Sequence, residues 1–130
     1  MGIGTANPGQ KLEVNGNVLA NAYLYVSDAR MKKDIMNISD ADDLLTQLQG
    51  VRFHWKADDR ADIGFIAQDV ERVLPELVHT DSTGMKSVEY GNIIPVLVEG
   101  YKIEKARADA LEARLQSLEA RFEKLETTNR

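Results

Sequence analysis

The sequence contains no cysteine, which excludes disulfide bonds and thiolate metal sites and leaves the redox compartment undecided. Aromatic residues make up only 6% of its 130 residues and hydrophobic residues 43%, enough for a modest core. Because a small core gives a short chain limited stability, we expect oligomerisation to supply further burial. The net charge of −5 leaves no basic stripe to neutralise phosphates, so nucleic-acid binding is disfavoured.

Long apolar runs are missing as well. No stretch approaches the length of a membrane span, and residues 1–10 lack the apolar segment of a signal peptide, so no membrane partner is expected. The two histidines, His54 and His79, are far apart in the sequence and have no cysteine near them, so neither a metal site nor a cofactor is expected. His79 stands alone in a strand-like run and is interpreted as structural.

Residues 1–26 are rich in glycine and asparagine, with short alternating apolar runs around Asn15-Gly16. Asn-Gly between such runs is typical of a tight turn between strands. The segment predicts β-structure that cannot close a core alone, which is typical of extended β stalks built from several chains. We therefore assign residues 1–26 to a β-rich stalk end.

Residues 27–92 mix helical and strand patterns, which predicts a compact α+β unit. Ser39 or Asp40 is suited to begin a helix with one apolar side, and Gly50 is placed to end it. Residues 51–56 then alternate between apolar and polar side chains, and this alternation predicts a strand.

The second half of this unit continues the mixture. Apolar side chains within residues 66–74 fall at helical spacing, and Pro75 is predicted to end that helix because proline lacks an amide hydrogen. Residues 77–90 predict two short strands around a Ser-Thr-Gly turn. The predicted fold class is therefore a small mixed helix/strand domain.

The remaining residues, 93–130, carry a heptad repeat. Apolar residues recur at alternating spacings of three and four, and only Glu104 interrupts the stripe. Its members are Ile94, Leu97, Tyr101, Ala108, Leu111, Leu115, Leu118, Phe122 and Leu125. A sustained period of about 3.5 residues predicts a coiled coil, whereas a helix packed on a globule favours a wider stripe. The alternative is a solvated helix held by ion pairs along its own surface.

Charged residues flank this stripe in a regular order. Each of three arginines stands five residues before a glutamate, the relation that pairs position g of one parallel helix with position e of the next. The pairs are Arg107 with Glu112, Arg114 with Glu119, and Arg121 with Glu126. An exposed pair contributes only ~0.2–1 kcal/mol, so the pattern mainly sets register and orientation. It favours a parallel homo-oligomer, and leucine at both core positions does not decide between dimer and trimer.

The segment SDARMKKDI, residues 27–35, offers Ser27 as a helix N-cap or as a nucleophile with Lys32 as its base. A Ser–Lys dyad needs a hydroxyl within hydrogen-bond reach of a neutral amine, although free lysine, with a pKa of ~10.4, is almost wholly protonated at neutral pH. Residues five apart point to opposite faces of a strand and lie about 140° apart on a helix. The two side chains therefore meet only if the chain bends between them, or if the lysine reaches back over a helix start. The local pattern alone favours the N-cap.

Three segments, in this order, resemble the intramolecular chaperone domain of phage tailspikes and tail fibres, the self-cleaving endosialidase-type S74 peptidase family. They are SDARMKKDI, GFIAQDVERVLPELV and KSVEYGNIIPVLVEGYK. The same domain occurs in the membrane-bound myelin regulatory factor transcription factors. The resemblance extends from Ser27 to about Lys105, and the family motif S-D-x-R-x-K places its serine at Ser27 and its lysine at Lys32.

The resemblance implies a single self-cleavage just before the serine, at the Val26–Ser27 bond. Ser27 Oγ would attack the Val26 carbonyl, Lys32 would accept the proton, and water would resolve the ester. The family forms homotrimers in which the chaperone domain assembles and registers three fibre chains before cleavage releases it. The assembled fibre is then kinetically locked, because it has lost the module that helped to form it.

Five further residues are candidates for supporting roles. Asp28 and Arg30 belong to the same motif. They would form a local salt bridge or cap contact that holds the turn, or would orient Ser27 and keep Lys32 neutral. His54 could complete a Ser–His–Asp triad, but the resemblance favours the lysine as base and leaves His54 as a surface or supporting residue. Gln68 and Asp69 form either an exposed helix face or, as part of a family signature, a polar contact near the cleavage turn or a subunit interface.

The overall prediction is a homotrimeric α+β chaperone domain in three segments. These are a β-rich stalk end (1–26), an auto-processing core (27–92) and a parallel coiled-coil helix (93–130). The predicted partners are further copies of the chain and the upstream fibre region of the same polypeptide. The expected location is a phage virion tail fibre, assembled in the host cytoplasm, or a bacterial surface or prophage fibre.

Two alternatives remain at this point. One is a trimerisation and capping module that never cleaves and stays attached to its fibre. The other is the transcription-factor version of the domain, which is disfavoured because residues 1–26 look like a fibre repeat and carry no DNA-binding charge pattern.

Overall fold

The computed structural model describes residues 1–130, which form two compact units. The first unit comprises Met1–Asn37 and Thr80–Lys86, and the second comprises Ile38–His79 and Ser87–Arg130. The chain is a small mixed helix/strand fold with a long C-terminal helix, as the sequence predicts. No helix has both the length and the apolar character needed to cross a bilayer.

The first unit contains less β-structure than the sequence predicts. Strands β1 (Gly2–Ile3) and β2 (Glu13–Val14) pair in parallel, and residues 15–28 belong to no strand. The predicted turn back at Asn15-Gly16 is wrong, because the Asn15 amide instead donates to the Ile3 carbonyl at 2.8 Å and extends the parallel pairing.

The shortage of strands has a physical cause in the side chains that precede Ser27. Leu19 and Leu24 are almost fully exposed, and Val26 is 80% exposed. A strand is stable when its backbone groups pair and its apolar side chains pack, and the single chain provides neither partner here. The β-rich stalk therefore stays a prediction about an assembly of several chains.

The second unit begins with helix α1 (Ala41–Gln47) and a two-stranded antiparallel sheet of β3 (Gly50–His54) and β4 (Ala61–Phe65). Asp40 occupies the N-cap position of α1, but its side chain makes no capping hydrogen bond. Gly50 does not end this helix: Leu48 ends it by adopting an extended conformation, and Gly50 opens the strand. The predicted alternation is confirmed, since exposed and half-buried side chains follow one another along β3.

Helix α2 (Ala67–Val73) follows β4, and Pro75 begins a short 3-10 turn, Pro75–Leu77. The predicted end of the helix before Pro75 is confirmed, while Ile66 lies just outside the helix in an extended conformation. Strands β5 (Val78–Thr80) and β6 (Lys86–Val88) then form the predicted two-stranded sheet. Gly84 lies between them with a φ of +86°, a conformation that favours glycine.

Helix α3 (Ile93–Thr128) is 36 residues long, and only its first turns contact the small core of the second unit. The core consists of six buried apolar residues, and no polar side chain is buried with them. They are Ala41, Val70, Leu74, Leu77, Ile93 and Val96. The expectation of a modest core is confirmed.

Gly64 of β4 allows Tyr90 to approach the sheet. The Tyr90 hydroxyl accepts a hydrogen bond from the Phe65 amide at 2.8 Å, and a Cβ built on Gly64 would lie 2.5 Å from that hydroxyl and 3.4 Å from Phe53 Cε1. We expect Gly64→Ala to destabilise the second unit by about 1–3 kcal/mol, because Tyr90 must shift and release the Phe65 amide.

Urea unfolding followed by the fluorescence of Trp55, the only tryptophan, would measure this loss. Gly50→Ala is the matched control, because a Cβ there meets nothing within 4 Å and Gly50 pairs with Phe65 in the same sheet. Equal midpoints for the Gly64→Ala and wild-type chains would contradict this role of Gly64.

Candidate active site

A single tight turn separates Ser27 from Lys32. Residues Ala29–Met31 form a 3-10 turn, and the Lys32 amide donates to the Ala29 carbonyl at 3.0 Å. Lys32 itself is extended, with φ −119° and ψ 148°, so the chain leaves the turn at once. This is the bend that two side chains five residues apart require in order to meet.

The turn brings the two candidate catalytic side chains into contact. Lys32 Nζ donates a hydrogen bond to Ser27 Oγ at 2.7 Å. At this distance a neutral amine can take the hydroxyl proton while the oxygen attacks a carbonyl. The adjacent carbonyl along the chain is that of Val26, so the pair is chemically suited to act on its own backbone.

The interpretation of Ser27 as an N-cap is wrong. Asp28 occupies the cap position of the 3-10 turn, and its Oδ1 accepts from the Arg30 amide at 2.9 Å. Aspartate is favoured at N-cap positions about as strongly as serine, and Asp28 is one residue closer than Ser27 to the start of the turn. The Ser27 hydroxyl therefore makes no capping contact and accepts a hydrogen bond from Lys32 Nζ instead.

Asp28 and Arg30 form the predicted local salt bridge. Arg30 Nε donates to Asp28 Oδ1 at 3.0 Å, and a terminal guanidinium nitrogen donates to Oδ2 at 2.8 Å. These hydrogen bonds from Arg30 hold the pKa of Asp28 below its usual range, and the same contact raises the pKa of Arg30. The aspartate thus holds the turn from both of its oxygens, and its charge is matched by Arg30.

The dyad is open to water in the single chain. Ser27 and Lys32 are both exposed, as are the apolar side chains of Met31, Ile35 and Met36. A lysine acts as a base when apolar surroundings disfavour its charged form. The chain therefore carries both candidate side chains in contact, together with exposed apolar side chains nearby in the sequence.

The other supporting candidates belong to the second unit. His54 is exposed at the end of β3, and Gln68 is exposed on α2. Asp69, on the same helix, accepts from Arg72 at 2.5 Å. These contacts fit the exposed-helix-face interpretation of Gln68 and Asp69, and a role for any of the three in cleavage stays a prediction.

The structure also shows residues whose importance the sequence analysis missed. A cap contact by Asp28 was among the expected roles, but the local pattern favoured Ser27 as the N-cap. The preference of aspartate for N-caps could have shown this, had the start of the turn been known. The side chain of Asp42 on α1 pairs with that of Arg107 on α3, a contact that no local pattern announces.

Comparison with known families identifies the segment that contains this site. Residues 27–79 match the sequence model of the peptidase S74 family, described as the chaperone of endosialidase. The match begins at Ser27, includes Lys32 and ends within β5. It confirms the resemblance for the first two of the three segments, and the third segment, residues 86–102, lies outside the match.

Proposed function

We propose that this chain, which belongs through residues 27–79 to the S74 family of endosialidase chaperones, assembles a fibre and then cuts itself at Val26–Ser27. Three copies associate through α3 and register the upstream fibre region of their own polypeptides, in a phage tail fibre or a bacterial surface or prophage fibre. The observation that carries the cleavage is the 2.7 Å hydrogen bond between Lys32 Nζ and Ser27 Oγ, at the first residue of the family match.

The chemistry follows from this contact. Lys32 accepts the hydroxyl proton as Ser27 Oγ attacks the carbonyl carbon of Val26. The lysine then delivers that proton to the Ser27 nitrogen, the amide bond breaks, and the Val26 acyl group is left as an ester on Oγ. Water hydrolyses the ester, giving a carboxylate at Val26 and a free amino group and hydroxyl at Ser27. Each chain is cut once, because the substrate is its own backbone.

The exposed stripe of α3 supports association between copies. Leu115 is 56% exposed, Leu118 49% and Phe122 63%, although they lie on one side of a long helix. Water-exposed apolar side chains in a heptad pattern are stabilised when a second helix covers them. The order of arginines and glutamates beside the stripe favours parallel partners, which would place the three upstream fibre segments at the same end.

Association is proposed to precede cleavage. The dyad is exposed in the single chain, so the apolar cover that a lysine base needs must come from elsewhere in the assembly. This order serves the proposed chaperone role, because a chain that cut itself early would lose the module that registers it.

A Ser27→Ala chain tests the proposal, because it should lose cleavage and keep assembly. We expect it to stay full-length on denaturing mass analysis and to sediment as the same oligomer as the wild-type chain. Loss of the oligomer in Ser27→Ala would contradict the separation, and continued cleavage at Val26–Ser27 would contradict the mechanism.

The alternative is a module that trimerises and stays attached to its fibre without cleaving. The exposure of both dyad side chains is the observation that favours it. It predicts the same oligomer and a single uncut mass, so the mass of the denatured chain distinguishes the two functions.

Asp28 provides a graded test of the turn. Asp28→Ala removes both the cap and the salt bridge, so we expect cleavage to slow by about tenfold as the turn loosens and the dyad separates. Asp28→Asn keeps a capping oxygen and loses the charge, and its rate should fall between those of Asp28→Ala and the wild-type chain. A time course of cut and uncut chain on denaturing gels measures both rates. Wild-type cleavage by Asp28→Ala would show that the cap does not position the dyad.

A further inference from the structure

The first turns of α3 carry two neighbouring apolar stripes. The inner stripe packs against the core of the second unit, and its members are Ile93, Val96, Gly100 and Ile103. The outer stripe lies one residue further along and is exposed, with Ile94 60%, Leu97 52% and Tyr101 68% accessible. Both stripes use alternating spacings of three and four, so they run side by side along the helix.

Helix α1 of the same chain lies against the inner stripe. A Cβ built on Gly100 would lie 2.3 Å from Leu45 Cδ1, so the small residue at this position lets α1 pack closely. The next position of the inner stripe is Arg107, where the apolar pattern stops. Its guanidinium donates to Asp42 of α1 at 3.0 Å, and the Asp42 side chain is only 20% exposed.

Arg107 also contacts Glu104, the one charged residue of the outer stripe. The hydrogen bond from Arg107 holds the pKa of Asp42 below its usual range, and Asp42, followed by Glu104, raises the pKa of Arg107. One guanidinium therefore binds a carboxylate on each side, one belonging to α1 and one to the stripe that faces outward.

We propose that Arg107 is an intrachain connector, held by Asp42, that supplies the counter-charge for Glu104 when a second copy of this chain covers the outer stripe. The inference rests on the self-association proposed above. A carboxylate enclosed between helices is costly unless a positive group neutralises it. Because Asp42 already fixes the Arg107 side chain, little further side-chain entropy is lost when the helices meet.

The proposal changes which charges set the register between copies. Arg107 is occupied within its own chain, so it does not pair with Glu112 of a neighbour. Register then depends on the two distal pairs, in which each arginine belongs to one copy and each glutamate to the next. They are Arg114 with Glu119 and Arg121 with Glu126.

Charge reversal between copies tests the register. A chain carrying Arg114→Glu and Arg121→Glu should associate poorly with itself. It should recover in part when mixed with a chain carrying Glu119→Arg and Glu126→Arg, because two of the three contacts in a mixed trimer then join opposite charges. The same mixing of Arg107→Glu with Glu112→Arg should restore nothing. Sedimentation of the mixtures gives the answer, and recovery of Arg107→Glu by Glu112→Arg would overturn the proposal.

Neutral variants test the counter-charge. Arg107→Ala should raise the concentration needed for half-assembly by about tenfold or more, because Glu104 then enters the contact unpaired. In a Glu104→Leu chain the same Arg107→Ala change should move this concentration by less than about twofold. An equal shift in both backgrounds would overturn the counter-charge role.

The contact with Asp42 has its own readout in the single chain. Urea unfolding followed by Trp55 fluorescence should show a lower free energy of unfolding for Arg107→Ala and for Asp42→Ala. The double variant should be no less stable than the less stable of the two single variants. Additive losses would overturn the connector. A wild-type chain that stayed monomeric at every concentration would overturn the self-association and the counter-charge with it, while this readout would still decide the Asp42 contact.

Discussion

Replacing Lys32 with alanine should leave the chain uncut at Val26–Ser27, whereas replacing Lys33 with alanine should leave cleavage intact. The two lysines are adjacent, and only Lys32 Nζ reaches Ser27 Oγ, at 2.7 Å. A positioned general base contributes about 10²–10⁴-fold to rate, so its removal should stop cleavage on the timescale of purification. The fraction of cut chain after a fixed time, read from intact mass, gives the comparison.

A third variant separates the base from its charge. Lys32→Arg keeps a positive side chain but cannot give up its proton near neutral pH, so it should be as inactive as Lys32→Ala. Near-wild-type cleavage by Lys32→Arg would show that a positive charge suffices and that the lysine is not the base. Equal losses in the Lys32→Ala and Lys33→Ala chains would assign the effect to the local charge instead of the dyad.

The second large effect is expected in the exposed stripe of α3. Leu115→Asp should shift the chain from oligomer to monomer, raising the concentration for half-assembly by about 100-fold or more. The reason is that a charge would replace an apolar side chain at the centre of the helix contact. Analytical ultracentrifugation over a concentration series measures the shift.

The matched control lies at the next residue. Gln116→Asp adds the same charge to the same turn of α3, but the heptad pattern places it outside the contact, so it should assemble almost as the wild-type chain does. Similar assembly of the two variants would contradict the coiled coil. If association precedes cleavage, Leu115→Asp should also slow the cut at Val26–Ser27, and Gln116→Asp should not.

Local patterns predicted the elements whose causes are local. Alternation over residues 51–56 gave β3, helical spacing before Pro75 gave α2, and the tail pattern gave α3. Each element depends on the period of apolar side chains along one segment, and this period can be read directly from the sequence. The end of α1 was misjudged at Gly50, because the extended conformation of Leu48 ends the helix two residues earlier.

Contacts between separate segments of the chain could not be predicted from local sequence patterns. The parallel pairing of β1 with β2 joins Gly2 to Glu13 and Ile3 to Val14 across a loop, whereas Asn15-Gly16 looked like a hairpin turn. Arg107 and Asp42 are 65 residues apart, and nothing near either of them announces the contact. The heptad pattern alone assigned Arg107 to a neighbouring copy, since position g is the usual place for such pairs.

The candidate site was predicted only in part from the sequence. The sequence showed that Ser27 and Lys32 could meet only across a bend, and the motif supplied the two residues. The bend itself depends on Asp28, whose carboxylate caps the turn and binds Arg30 from both oxygens. Because serine and aspartate are both good caps, local preference could not decide which of them would take the position.

The most direct test of self-cleavage is the intact mass, under denaturing conditions, of freshly purified wild-type chain beside Ser27→Ala. The dyad predicts a wild-type product that begins at Ser27 and ends at Arg130, and a single full-length mass for the variant. An uncut wild-type chain, or the same cut in both samples, would contradict cleavage by Ser27 and Lys32.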